Sequence, residues 1–202
     1  MLSASHRGGF TIVELLIGMS LLAVLLGIGA PMMGRYLQNS KIASAAGSYF
    51  NGLQTARTEA VRRNVRTEFV LTDTAVSTAD LANTLALATT GRNWVVRAAS
   101  GPAAFLTVEA KAGAEGEAAS AAAIQIAGSA SAPAVFDGRI PFNGFGSTAD
   151  GASYFIDISN PAAGACAGSG GTIRCRRIAV SPGGQIVSCD PAAAAGDSRA
   201  CP

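Results

Sequence analysis

The first candidate for chemistry is a carboxylate at the start of an apolar segment. Glu14 is followed by an uncharged run from Leu15 to Gly34, whose length matches a membrane-spanning helix. A carboxylate at membrane depth costs about 2.5–3.5 kcal/mol on insertion scales, so it needs a cationic partner. No basic residue lies within helical reach, so the partner is expected from another subunit, with the amino group that cleavage would create on Phe10 as the obvious cation. The alternative is that Glu14 lies in the headgroup region, where a carboxylate also suits the N-terminal end of a helix.

The residues before the apolar run indicate proteolytic processing. Residues 1–9 are short and polar and include His6 and Arg7. In an ordinary secretory signal, the small residues of the cleavage site follow the apolar core. Here Gly8 and Gly9 precede it, so cleavage after Gly9 removes a basic leader and leaves the hydrophobic helix on the product. Arg7 on the cytoplasmic side places the rest of the chain across the membrane, in the periplasm.

Composition limits the remaining possibilities. A chain of 202 residues has room for one globular domain and one further element. Charged residues make up 14% of the chain and the formal net charge is +2. This charge is too small to indicate a nucleic-acid or acidic-lipid partner, so any such partner must be argued from local clustering.

The cysteines form one group near the end of the sequence, at Cys166, Cys175, Cys189 and Cys201. An even, clustered set in an exported protein predicts two disulfides and an oxidising compartment. A zinc site is the rival interpretation, but the spacings are irregular and no histidine is near. Hairpin geometry about a turn at residues 181–184 favours Cys175 with Cys189 and leaves Cys166 for Cys201. Other pairings stay open, including Cys189 with Cys201.

A second group of candidates is basic. Arg174, Arg176 and Arg177 lie on a predicted strand, where alternation puts the first two on one face and the third on the other. Exposed arginines bind phosphate with an affinity that falls steeply with salt, which makes DNA one interpretation and a solvated strand face the other. Catalysis is not supported, because the only histidine, His6, lies in the predicted leader and no nucleophile or cofactor motif is present. The sequence therefore predicts no enzyme, no cofactor and no metal.

A long helix is predicted to carry the N-terminal candidates. Residues 10–34 form its transmembrane and assembly half, and Pro31 between glycines predicts a kink or break there. Residues 35–64 form an amphipathic half that ends near Asn64. Its apolar stripe has helical spacing and consists of Ile42, Ala45, Ala46, Tyr49, Leu53, Ala56 and Ala60. The opposite face is expected to meet water through Arg57, Glu59, Arg62 and Arg63, with Arg66 beyond the end of the helix, and Glu59 is spaced to pair with Arg63. These arginines could form a binding patch, but a solvated helix face is the favoured interpretation.

An antiparallel β domain is predicted from residue 65 to 202, so the fold class is α+β: a long N-terminal helix and then a small β-sandwich-like domain. The predicted strands are 66–72, 94–99, 105–110, 122–126, 154–158, 173–180 and 185–189, with two more possible around Val135 and Ile140. Residues 110–123 and 129–133 are predicted loops, because they are rich in alanine, glycine and serine.

Residues 9–16, GFTIVELL, resemble the class III signal of type IV pilins and type II secretion pseudopilins. The resemblance implies that a prepilin peptidase cuts between Gly9 and Phe10 and that the amino group of Phe10 is methylated. It also implies that Glu14 pairs with the N-terminus of a neighbouring subunit during assembly. Pro31 matches a helix-breaking position of that family.

The body resembles the GspH/FimT group of minor pilins and pseudopilins. The resembling stretches are residues 53–63, Trp94, residues 140–146 and residues 176–184. The resemblance implies a single-pass inner-membrane protein with a periplasmic domain, which joins other pilins through its N-terminal helix. Its role would be priming, tip formation or assembly of a type IV pilus or of a type II secretion pseudopilus, and the sequence does not separate the two systems.

DNA binding by a minor pilin of natural transformation is the alternative function. Some FimT-like proteins bind DNA through a Gly-Arg-x-Arg element in the C-terminal hairpin. The corresponding residues here, Gly184 to Val187, have neither arginine. Support for DNA as a partner therefore rests on Arg174, Arg176 and Arg177 alone.

Overall fold

The computed structural model describes residues 11–76, 81–113, 124–132 and 134–202, and for residues 28–32 the backbone only. The chain divides into two compact units between Leu37 and Gln38. Helix α1, Ile12–Arg63, contributes residues to both units. The predicted leader, with His6, and the predicted cleavage and methylation positions, Gly9 and Phe10, lie outside the described residues.

The C-terminal end of α1 is set by an asparagine. Asn64 has a φ of +50°, and its N–H bonds to the carbonyl of Val61, while the N–H of Val65 bonds to the carbonyl of Ala60. This pair of bonds is the Schellman motif, in which a left-handed residue closes the last turn. Arg62 and Arg63 lie in that turn, where positive charge suits the helix dipole. The predicted end near Asn64 is confirmed.

Eight strands form two antiparallel sheets. Sheet A has the order β3-β2-β1-β5 and sheet B the order β4-β6-β7-β8. The strands of sheet A are β1 (Thr67–Thr72), β2 (Asn93–Ala99), β3 (Phe105–Lys111) and β5 (Arg139–Phe142). Those of sheet B are β4 (Gln125–Ala130), β6 (Tyr154–Ser159), β7 (Arg176–Val180) and β8 (Ile186–Cys189). The predicted α+β class, a long helix followed by an antiparallel β domain, is confirmed.

One core joins the second half of α1 to both sheets. The predicted stripe supplies the helix side, with Ile42, Leu53, Ala56 and Ala60 completely buried. Its partners from sheet A are Phe69, Leu71, Trp94, Val96, Ile140 and Phe142, and those from sheet B include Tyr154, Ile156, Ile158, Ile178 and Val180. Apolar burial is the main stabilising term in folding, so this stripe fixes residues 38–63 on the β domain.

Strand β1 is buried on both faces. Phe69 and Leu71 face the main core, while Val70 faces a second cluster with Val95 of β2. A short helix that the sequence did not predict, α2 (Leu81–Thr84), covers this second cluster. Because every residue of β1 is buried, any charge on it must find a partner inside the protein.

Several strand boundaries differ from the prediction. Strand β4 runs to Ala130, through residues predicted as loop, because Ser129 and Ala130 pair with Phe155 and Tyr154 of β6. Strand β7 begins at Arg176 rather than at residue 173, since Ile173 forms an isolated bridge with Cys166. Ile140 lies in β5, whereas no strand is described around Val135.

The four cysteines form two disulfides, but the favoured pairing was wrong. The structure has Cys166 bonded to Cys175 and Cys189 bonded to Cys201, with Cα–Cα distances of 5.5 and 5.0 Å. The β7–β8 register places Cys189 opposite Arg177, so Cys175 is two residues away from the position that faces Cys189. Each disulfide instead closes a short local loop, and the second one holds the C-terminal tail.

Candidate functional site

The start of α1 carries the N-terminal candidate residues. The Thr11 hydroxyl accepts a hydrogen bond from the backbone N–H of Glu14, at 3.2 Å, as a capping side chain does. This contact places Glu14 in the first turn of α1, where its negative charge suits the helix dipole. Glu14 is exposed. The described part of the site is therefore a capped helix start that presents one carboxylate.

An exposed apolar surface follows Glu14. The large hydrophobic residues of this stretch are between 55% and 80% exposed, and they are Leu15, Leu16, Ile17, Met19, Leu21, Leu22, Val24, Leu25 and Leu26, with Ile12 and Val13 before Glu14. Soluble monomers rarely expose a continuous apolar surface of this size, so it indicates a contact with lipid or protein. By a hydropathy and length criterion applied to the described residues, no helix qualifies as a membrane span.

The predicted helix break at Pro31 is not observed. Helix α1 is continuous from Ile12 to Arg63 and includes Pro31. Proline removes one backbone donor and crowds the preceding turn without necessarily ending a helix. A helix that weakens near Pro31 in an assembled filament stays a prediction.

The arginines at the end of α1 divide into two kinds. Glu59 forms ion pairs with both Arg62 and Arg63, at nitrogen–oxygen distances of 2.7 and 2.6 Å. The predicted pair of Glu59 with Arg63 is therefore present, and Arg62 contacts the same carboxylate. Hydrogen bonds from Arg62 and Arg63 lower the pKa of Glu59 to about 2. Arg57 does not simply face water, as predicted, because its Nε donates to the carbonyl of Gly146 at 3.0 Å.

The arginines near the C-terminal hairpin do not form one basic cluster. Arg177 pairs with Asp157 through two hydrogen bonds of 2.7 and 2.9 Å, and this carboxylate raises the pKa of Arg177. Arg176 borders a groove beside Ala43 of α1, and Arg174 precedes the strand. Because the charge of Arg177 is already matched, DNA binding at this hairpin is not favoured.

A buried charged pair was missed in the sequence. Glu68 of β1 is completely buried, and Oε2 accepts hydrogen bonds of 2.9 and 2.7 Å from Arg97 of β2. Arg97 also donates to the carbonyl of Ala82, at 2.7 Å, and its guanidinium lies 4.2 Å from the centre of the Phe105 ring. Arg66 Nη2 lies 2.6 Å from Glu68 Oε1, without hydrogen-bond alignment. The only sequence signal was a pair of opposite charges in two predicted strands, whose register the sequence does not supply.

No catalytic or metal-binding arrangement emerges from the described geometry. In ranges 11–76, 81–113, 124–132 and 134–202, no group of three or more His, Cys, Asp and Glu residues could hold a metal ion. All four cysteines are in disulfides. What this arrangement offers chemically is a charged, capped helix start on an apolar segment, joined to a β domain.

One comparison with known proteins concerns the N-terminal motif. The family described as "Prokaryotic N-terminal methylation motif" matches residues 4–30. The sequence matches none of the curated proteins. The structure is similar to that of the type IV minor pilin FimU of Pseudomonas aeruginosa PAO1, with 14% identity over 75% of this chain and 90% of that chain, and a TM-score of 0.48. It is also similar to the minor pseudopilin EpsH from the type 2 secretion system of Vibrio cholerae, with 9% identity over 76% of this chain and 99% of that chain, and a TM-score of 0.48.

The motif confirms the resemblance predicted from residues 9–16. Residues 4–30 carry the prokaryotic N-terminal methylation motif.

Proposed function

We propose that this chain is a minor pilin or pseudopilin of the GspH/FimT type. A prepilin peptidase removes residues 1–9, the new amino group of Phe10 is methylated, and α1 anchors the product in the inner membrane with residues 65–202 in the periplasm. The protein then joins other pilins through α1 and takes part in priming, tip formation or assembly. The filament is a type IV pilus or a type II secretion pseudopilus, and the role is structural rather than enzymatic.

One observation carries this proposal: the methylation motif coincides with a capped helix start and an exposed apolar segment. Thr11 caps the helix so that Glu14 lies in its first turn, directly before the uncharged run. Placed at membrane depth, this carboxylate would need a cation, and the amino group of Phe10 on a neighbouring subunit would supply one. This pairing would stabilise α1 in a filament relative to α1 in the membrane.

The test is intact-mass measurement of the chain purified from membranes, with a prepilin peptidase co-expressed. We expect the mass to show loss of residues 1–9 and gain of one methyl group on Phe10. A Gly9→Val variant, which puts a bulky residue at the scissile bond, should keep its leader. An uncut wild-type chain in the presence of an active peptidase would overturn the proposal.

Assembly is tested separately with Glu14→Ala. We expect this variant to be cleaved but to be lost from the sheared filament fraction, because the charge that attracts the neighbouring N-terminus is gone. Glu109→Ala is the matched control, since it removes an exposed glutamate from β3 of the β domain. Equal recovery of both variants in filaments would contradict the assigned role of Glu14.

A further inference from the structure

The loop that follows β5 displays an aromatic ring to solvent. Phe145 is 91% exposed, and among the described residues 38–202 it is the one aromatic side chain among the exposed large hydrophobics. Val61 of α1, 51% exposed, lies beside this loop, because a Cβ built on Gly146 would come within 2.9 Å of it. The two exposed apolar residues at this loop, Phe145 and Val61, are named here the Phe145 knob.

The loop is held in one conformation by its first residue. The Asn143 side-chain oxygen accepts hydrogen bonds from the backbone N–H groups of Phe145, at 2.9 Å, and Ser147, at 3.3 Å. The Asn143 amide nitrogen donates to the Ser147 hydroxyl at 2.7 Å. Side chains that bond their own backbone in this way fix a turn locally. The ring is therefore presented by an ordered loop rather than by a mobile tip.

The glycines of the loop pack it onto the end of α1 and onto the last hairpin. A side chain on Gly144 would overlap Asn64, and Gly146 has a φ of +77° that other residues rarely adopt. The Gly146 carbonyl accepts the hydrogen bond from Arg57 and lies against Gly184 of the hairpin. The knob is thus fixed from two sides, and binding it costs little conformational entropy.

The surroundings of the knob are positively charged. The final turns of α1 and the residues after it carry four arginines, Arg57, Arg62, Arg63 and Arg66, whereas two carboxylates lie against them, Glu59 beside Arg62 and Arg63, and the buried Glu68 beside Arg66. The side chains of Arg62 and Arg66 are 60% and 49% exposed. A partner that covers the knob therefore gains from negative charge at its edge.

We propose that the Phe145 knob inserts into an apolar socket rimmed by carboxylates on a neighbouring pilin-like subunit. The partner class rests on the proposed function. Aromatic residues are enriched at the centre of protein–protein interfaces, and the rim around that centre is polar. Single-stranded nucleic acid is the less suitable occupant, because it stacks on several successive aromatic rings along a groove.

The test is photocrosslinking of the full chain in its native cells, with p-benzoylphenylalanine at position 145. Position 135 is the matched control, since Val135 is 86% exposed. We expect the product from position 145 to contain a protein that carries its own N-terminal methylation motif, with clearly less product from position 135. Phe145→Ala should weaken the association of the purified full-length subunits about tenfold or more, while Phe145→Leu should restore part of it. Raising the salt concentration should weaken the association further.

The two proposals fail in different ways. Suppose that intact mass shows a processed, methylated chain. If position 145 then gives no crosslinked product, or crosslinks only to lipid, to nucleic acid or to a protein without the motif, the knob proposal is wrong and the proposed function stands. If the chain is never cut, the proposed function fails first. Phe145→Ala must leave the midpoint of thermal unfolding within about 2 °C of wild type, as expected for an exposed side chain. A larger shift would show that Phe145 supports the fold, and would overturn its role as an anchor.

Discussion

Replacing Arg97 by methionine should destabilise the β domain strongly. The substitution leaves Glu68 completely buried and removes both hydrogen bonds to its Oε2. It also leaves the carbonyl of Ala82 without the guanidinium that binds it. Removing one partner of a buried ion pair costs about 3–5 kcal/mol, because the other charge stays desolvated. Arg66, 2.6 Å from the second carboxylate oxygen, compensates in part, so we expect the lower half of that range.

A matched pair on the other sheet provides the control. Arg177 and Asp157 also face each other across neighbouring strands and share two hydrogen bonds, as Arg97 and Glu68 do. Their side chains, however, are 36% and 37% exposed. An ion pair that water reaches contributes about 0–1 kcal/mol, so Arg177→Met should be nearly neutral.

The measurement is urea unfolding of the full chain in mild detergent, followed by tryptophan fluorescence. The chain has one tryptophan, Trp94, which is buried and stacks on Phe69 with ring centres 5.7 Å apart. The loss from Arg97→Met should appear as a lower free energy of unfolding in urea, and in a heating experiment on the same sample it should lower the thermal midpoint by roughly 10 °C, at about 2–4 °C per kcal/mol for a domain of this size. Adding Glu68→Leu should recover most of the loss, because no buried charge then remains. If Arg177→Met costs as much as Arg97→Met, burial does not govern these pairs and the reasoning is refuted.

Three further changes test other parts of the structure. Gly184→Ala should lower the free energy of unfolding in urea by about 3 kcal/mol, since Gly184 has a φ of +78° and a side chain there would overlap the carbonyl of Gly146. Gly183→Ala is the control: a side chain at Gly183 meets open space, so this change should alter the free energy of unfolding by less than about 0.5 kcal/mol. Glu59→Gln should lower the thermal midpoint above pH 4.5 and make no difference near pH 2. The pKa of Glu59 in the folded chain, about 2, lies below the usual 4.5, so the stabilisation that its charge provides disappears as the pH falls from 4.5 to 2. A difference in thermal midpoint that does not change with pH would contradict the ion-pair assignment. Cys201→Ser should cost about 3 kcal/mol and leave one free thiol, on the buried Cys189, which a thiol reagent labels once the chain is unfolded. A labelled thiol found elsewhere by peptide mapping would overturn the disulfide pairing.

The local features of α1 were predictable from the sequence. Spacing in steps of three and four residues identified the buried stripe, from Ile42 to Ala60, and the same helical geometry gave the pair of Glu59 with Arg63. Asn64 marked the end of the helix. Each of these features depends on residues within about one turn of each other, where backbone geometry alone sets the distances.

Features that depend on strand register were not predictable. Two disulfides followed from the number of cysteines, but a shift of two residues across the β7–β8 hairpin separates Cys175 from Cys189. The pair of Glu68 with Arg97 needs the β1–β2 register, with α2 and a long connection between the strands. Arg57 was assigned to water because its acceptor, Gly146, lies 89 residues further along the chain.

The strand orders of the two sheets affect how the chain can fold while it is being made. After β3 the chain enters sheet B with β4, returns to sheet A with β5, and then completes sheet B with β6, β7 and β8. Strand β1 therefore cannot pair with its second neighbour, β5, until Phe142 has been synthesised, and β4 cannot pair until β6 has been synthesised. Only β1, β2 and β3 can pair before the rest of the domain exists, so neither sheet is complete until most of the chain has been synthesised, and we expect the domain to fold late and through contacts between residues far apart in sequence.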